Sequence, residues 1–199
     1  MSQQLILASQ SASRRAMLTA AGAGHEAIAA HVDESAVKDA LLAEGQTPRA
    51  IADALAELKA VKISQGQPSA LVIGSDSMVS VNGRLFDKPE SREAAATHLR
   101  VFSGQVMLLT SAVVVAEGGQ PVWRHVDQAK LMVRPLSEAF IADYLDAEWP
   151  AIASCVGCFR IEGPGVQLFS RLDGDHFTIL GMPLLPLLGY LRVRGAMPS

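Results

Sequence analysis

The run from Leu71 to Pro89, LVIGSDSMVSVNGRLFDKP, constrains the fold more than any other part of this 199-residue chain. Leu71-Val72-Ile73 is aliphatic and β-branched, and it reads as a buried strand that ends at Gly74. Asp76 comes two residues later, and a second apolar run covers Met78 to Val81. Asn82-Gly83 is a hairpin signal, because both central residues of a type I′ turn need positive φ. The hairpin then carries Lys88-Pro89 back. An acid at the C-terminal end of a buried strand, with a lysine returned to it, can hold a metal-bound phosphate. The same residues also suit a surface turn acid and a solvated lysine.

Composition narrows the class. Half of the chain is apolar (49%) and the net charge is −3, as expected of a soluble globular protein forming one domain over residues 1–199. No block of about five lysines or arginines occurs, which argues against a nucleic-acid partner. Met1-Ser2-Gln3-Gln4 lacks the positive region of a signal peptide. No apolar run reaches the roughly 18 residues of a membrane span. Two cysteines are too few for a disulfide framework, so a cytoplasmic location is expected.

Ahead of the central run, Leu5 to Ala8 reads as a buried strand. It leads through Ser9-Gln10-Ser11-Ala12-Ser13 into a helix containing Arg14, Arg15, Met17 and Leu18, with Gly22 or Gly24 as its stop. A strand, a hydroxyl-rich turn and a helix start together make an anion site, and an arginine can grip phosphate with two donors. The alternative is that Ser13 caps the helix and the arginines are solvated. Ile28 to Val32 reads as a weak strand ending in Asp33-Glu34, a pair suited to a divalent cation or to a solvated turn. Thr47-Pro48 opens a helix with Ile51, Leu55, Leu58 and Val61 as its apolar stripe. Lys59 lies beside that stripe, where a lysine usually reaches out to water.

After Pro89, Ser91 precedes a helix with Ala95, Leu99 and Phe102 on one face. Val106 to Glu117 and Val122 to Val133 make a long hairpin about Gly118-Gly119, with His125 as an exposed strand residue. Ser137-Glu138 starts a helix that buries Phe140, Ile141, Tyr144 and Leu145. Cys155 and Cys158 match C-x-x-C, but no second pair exists for zinc and no helix begins there to activate a thiol. Val166 to Ser170 reads as a strand, and Pro183 to Arg194 as a helix interrupted by Pro186. The alternation of strands and helices predicts an α/β protein with a mixed sheet.

Four motifs, taken in order, resemble those of the Maf family of nucleoside triphosphate pyrophosphatases, also known as septum-formation inhibitors. They are LILASQSASRR, VDES, GSDSMVSVNGRLFDKP and RIEGPGVQLFSRLDGDHFTILGMPL, and the likeness spans Leu5 to about Leu191. The resemblance implies an elongated mixed sheet flanked by helices, with a groove between two lobes, related to the inosine-triphosphate pyrophosphatases. It implies cleavage of a nucleoside triphosphate between the α- and β-phosphorus, giving a monophosphate and pyrophosphate, with Mg²⁺ or Mn²⁺ as cofactor. It further implies removal of modified nucleotides and a link to arrest of cell division, with a homodimer left open. By the same resemblance Ser9, Arg14, Lys59 and Lys88 bind phosphate, Glu34 and Asp76 hold the metal, and Asp76 accepts the proton.

Departures from the family pattern bear on the substrate. Ala12 stands where the family usually has proline. The branch acting on thymidine and uridine triphosphates carries arginine, threonine and glutamine at the positions of Ser13, Ser77 and Glu162. The branch acting on 7-methyl-guanosine triphosphate shares the glutamate at Glu162 but has an aromatic at Ser13 and glutamine at Ser77. The expected substrate is therefore a guanine-type, 7-methyl-GTP-like nucleotide, with a dTTP/UTP-type enzyme as the alternative. A non-catalytic phosphate-binding regulator and a thiol redox protein built on Cys155 and Cys158 are the rival classes.

Overall fold

The computed structural model describes residues 3–198. The chain runs β1 (Leu5–Leu7), α1 (Ala12–Ala20), β2 (Glu26–Ala27), α2 (Glu34–Ala43), α3 (Pro48–Gly66), β3 (Leu71–Val81), β4 (Arg84–Phe86) and α4 (Arg92–Phe102). It continues through β5 (Val106–Glu117), β6 (Gln120–Val133), α5 (Glu138–Glu148), β7 (Phe169–Asp173), α6 (His176–Ile179) and α7 (Leu184–Val193). Seven strands form one mixed sheet in the order β2-β1-β3-β5-β6-β7, with β4 paired to β3 off that path. β1 runs parallel to β2 and β3, whereas β4 and β7 run antiparallel to their partners. The expected α/β class with a mixed, helix-flanked sheet is the one observed.

Two compact units divide the chain. One takes the residues up to Ser77, Thr110–Asp127 and those from His176 onward; the other takes Met78–Leu109 and Gln128–Asp175. In the first unit, period-2 alternation sends successive side chains of β1 and β3 to opposite faces. Leu5, Leu7, Leu71 and Ile73 join Met17, Leu18, Leu187 and Leu191 on one side. Ile6, Ala8 and Val72 join Ala30 and Ala70 on the other. Both faces are covered, as parallel strands require. In the second unit Phe86 packs edge-on against Phe102, with centroids 4.8 Å apart. Arg160 there grips Glu148 through two hydrogen bonds of 2.9 and 2.8 Å.

Four elements differ from expectation. β3 does not stop at Gly74 but runs unbroken to Val81. A Cβ at Gly74 would lie 2.1 Å from the Ala56 carbonyl oxygen and 2.7 Å from the Ala60 nitrogen, so this glycine marks a close approach of α3 and not a strand end. Residues 28–32 form no strand; Asp33 instead caps α2, its carboxylate accepting from the Ala36 N–H at 3.0 Å. Residues 164–168 form a 3₁₀ turn before β7, with Gly165 against the Arg160 backbone, where a Cβ would meet the carbonyl oxygen at 2.5 Å. Pro186 falls in the first turn of α7, whose N–H groups have no helical partner, so it interrupts nothing. The Asn82-Gly83 hairpin is as expected, with φ of 51° and 77°.

Candidate functional site

Packing of α3 on Gly74 places the residue one turn from Ala56 beside the residue two beyond Gly74. Lys59 Nζ donates to Asp76 Oδ1 at 2.6 Å, and lies 3.0 Å from Glu34 Oε1 at the start of α2. Lys59 is not a snorkelling lysine at the side of the stripe: the buried face of α3 is Ile51, Ala52, Leu55, Ala56, Lys59 and Ala60. Leu58 and Val61, expected on that face, are only partly buried. Asp76 lies within β3 and is 6% exposed, so it is a buried acid and not a turn acid.

The serine-rich turn leads into the same unit. Ser11, and not Ser13, caps α1: its Oγ accepts from the Arg14 N–H at 3.4 Å and lies 3.1 Å from Ser13 Oγ. Ser9 Oγ accepts from the Ser11 N–H at 3.2 Å. The Arg14 guanidinium turns inward, with Nε donating to the Gly181 carbonyl at 2.8 Å and Nη2 to Ser77 Oγ at 3.0 Å. Burial pulls its pKa below the ordinary arginine value, while Asp76 and then Glu34 act in the opposite direction. Arg14, Glu34, Lys59 and Asp76 thus share one electrostatic neighbourhood in the first unit.

Lys88 and Glu162 are exposed residues of the second unit. Both act on the Cys155 thiol, whose pKa is raised by burial foremost, raised further by Glu162 and lowered by Lys88. Cys155 and Cys158 are unpaired and bracket a turn, with the Cys158 N–H donating to the Cys155 carbonyl at 3.1 Å. The Cys158 thiol is pushed up to about 12 by burial and then by Cys155, the reverse of an activated redox cysteine.

The chemistry of the acids suits a hard divalent cation. Glu34 and Asp76 offer carboxylate oxygens that both lie within 3.0 Å of the Lys59 ammonium, so they face one point. Magnesium is commonly held by one or two carboxylates together with phosphates and waters. Among the described residues no group of three or more His, Cys, Asp or Glu is placed to hold an ion, so a full protein cage is not offered.

Ser75, Ser111 and Gly181 join this cluster without having been expected there. The available signal was Thr110-Ser111, a hydroxyl pair interrupting the apolar run of β5. No helix among the described residues is long and apolar enough to cross a membrane.

Fold and cluster define the class, an α/β protein with a charged centre half-buried beside its parallel strands. The sequence model of the family described as Maf-like protein matches residues 4–194, and the chain belongs to the Maf family. It is 55% identical to a nucleoside triphosphate pyrophosphatase of Sphingopyxis alaskensis over 98% of this chain and 99% of that one. A protein of the same name from Ruegeria pomeroyi is 49% identical over the whole of both chains. A 7-methyl-GTP pyrophosphatase of Rhizobium meliloti is 47% identical over 98% of each. These names denote hydrolases of acid anhydrides.

Proposed function

We propose that the chain is a nucleoside triphosphate pyrophosphatase, adding water across the α–β anhydride to give a nucleoside monophosphate and pyrophosphate. One observation carries the reading: two cations, Arg14 and Lys59, and two acids, Glu34 and Asp76, gather in one unit of a chain whose relatives bear that enzyme's name. Arg14 offers a planar fork to phosphate oxygens. Ser9 adds a donor to the polyphosphate, and the family resemblance assigns phosphate binding to Lys88 as well. Asp76 engages Oδ1 with Lys59 and leaves Oδ2 to take a proton from the attacking water. Glu34 and Asp76 would hold a divalent cation, which when bound offsets phosphate charge and acidifies water. Lys59 bridges the two acids and offsets part of their charge before substrate arrives.

Base selection we assign to Glu162. Guanine presents N1–H and N2–H₂ donors, and an ionised carboxylate only accepts. The relative named for 7-methyl-GTP supports a guanine-type substrate, and the positive charge of N7 methylation suits a nearby acid. The family match running over residues 4–194 supports a single domain over 1–199, and the two unpaired cysteines fit a cytoplasmic enzyme.

Pyrophosphate release from a panel of canonical and modified triphosphates, with Mg²⁺ or Mn²⁺, tests the activity. Asp76→Asn keeps the shape and removes the basic oxygen, and should lower kcat by roughly 10²–10⁴. No turnover of any nucleotide by the wild type would instead favour the non-catalytic regulator.

A further inference from the structure

Behind Arg14 runs a chain of hydroxyls. Arg14 Nη2 donates to Ser77 Oγ at 3.0 Å, Ser77 and Ser111 Oγ are 2.8 Å apart, and Ser111 Oγ lies 2.9 Å from the Thr178 carbonyl oxygen. Counting protons limits the direction of these bonds. A serine hydroxyl carries one hydrogen, a carbonyl only accepts and a guanidinium only donates. Ser111 therefore gives its hydrogen to Thr178 and has none for Ser77, whose single hydrogen is shared between Ser111 Oγ and the Gly181 carbonyl. The Ser77 oxygen is left to accept from Arg14.

A second acceptor works in parallel. The Gly181 carbonyl takes Arg14 Nε at 2.8 Å and the buried Ser75 hydroxyl at 3.0 Å, and lies 3.2 Å from Ser77 Oγ. Gly181 has φ of +109°, a left-handed value that favours glycine. A Cβ there would stand 3.4 Å from Ser77 Oγ and 3.6 Å from Arg14 Nε. Nε and Nη2 are thus fixed by protein acceptors, while Nη1 enters none of these bonds. An arginine free to rotate would lose much of the advantage of a planar fork, and this one is braced on two sides. Ser111, fully buried, is the far end of the brace.

We propose that Ser111 and the Gly181 carbonyl are positioning groups for the proposed reaction, setting the Arg14 fork through Ser77. Ser77 on this view serves the arginine and not the nucleobase. The proposal rests on the reading of Arg14 as the phosphate grip.

The test is a double-mutant cycle on binding of an α,β-methylene nucleoside triphosphate with Mg²⁺, in the wild type, Ser111→Ala, Arg14→Lys and the double variant. Ser111→Ala and Arg14→Lys should each weaken binding about fivefold or more, and the double variant should bind no more weakly than Arg14→Lys alone. Wild-type affinity in Ser111→Ala, with Arg14→Lys weakened, overturns the positioning role and leaves the phosphate grip standing. A Ser111→Ala factor that persists in full on the Arg14→Lys background also overturns it. Unchanged binding in Arg14→Lys removes the grip and the brace together. If Ser111→Ala does not fold, as judged by its urea transition, Ser77→Ala removes the Arg14 acceptor that Ser111 holds and is held to the same criteria.

Discussion

Lys59 Nζ sits 2.6 Å from Asp76 Oδ1, and both side chains are only 8% exposed. Removing one partner of a buried pair leaves an uncompensated charge, which typically costs about 3–5 kcal/mol. Lys59→Met should therefore lower the unfolding free energy by about 3 kcal/mol, seen as a lower urea midpoint at unchanged slope. Glu34 adds little to that figure, because it is half-exposed. Replacing both partners, as Lys59→Met with Asp76→Leu, should recover part of the loss. A Lys59→Met variant as stable as the wild type would mean that the pair is not held as described.

Gly74→Ala tests the contact that creates the pair. The obstructing atoms belong to the α3 backbone, the Ala56 carbonyl oxygen at 2.1 Å and the Ala60 nitrogen at 2.7 Å, and cannot turn aside as a side chain would. The loss should reach at least the upper end of the roughly 1–3 kcal/mol usual for overpacking. Nucleotide binding should fall as well, since the helix that carries Lys59 must move off the strand that carries Asp76. Wild-type stability in chemical denaturation would contradict the close approach.

Thiol reactivity separates the enzyme from the redox alternative. With Cys158 pushed up to about 12, its thiolate fraction at pH 8 is on the order of 10⁻⁴, against about a quarter for a thiol near 8.5. Cys155 is raised by burial too. In the native protein Cys158 should alkylate at least about a hundredfold more slowly than in denaturant, and Cys155 more slowly than a free thiol. Native labelling as fast as that of a free thiol would revive the redox reading.

Glu162→Gln addresses the base. The wild type should prefer 7-methyl-guanosine triphosphate to uridine triphosphate in kcat/KM, and the substitution should shrink that ratio about tenfold or more. One bidentate contact is worth roughly 1–3 kcal/mol of discrimination, by analogy with base readout in nucleic acids. An unchanged ratio would take Glu162 out of base recognition.

Local signals made most of the fold legible. Asn82-Gly83 sets a turn by its own backbone preferences, Thr47-Pro48 and Ser91 start helices by their own side chains, the apolar run of β5 is long, and β6 alternates polar with apolar residues. What went unread depends on contacts distant in sequence. Gly74 looks like a strand end until the helix that lies on it is known. Lys59 looks solvated because a helical stripe counts apolar residues, and only the presence of Asp76 makes a lysine acceptable on the buried face. Asp33 reads equally as the end of a strand or the cap of a helix, since an Asx side chain serves both. At the cluster, Arg14 and Asp76 stood out as residue types suited to phosphate chemistry. Ser111 and Gly181 did not, because their part is to hold another side chain.

The two ends of the sheet order bear on how the protein behaves in crowded solution. β2 has only Glu26 and Ala27 to offer, too short an edge to seat a strand from another molecule. β7 at the opposite end carries the Arg171–Asp173 ion pair, and its pairing with β6 shifts register between Met132 and Val133. The most apolar strand, the 12-residue β5, lies inside that order between β3 and β6, whereas β7 covers β6 only over Lys130–Val133. The β5 sequence is thus closed to strand addition in the folded protein, and unfolding has to expose Val106–Glu117 before it can seed a fibril.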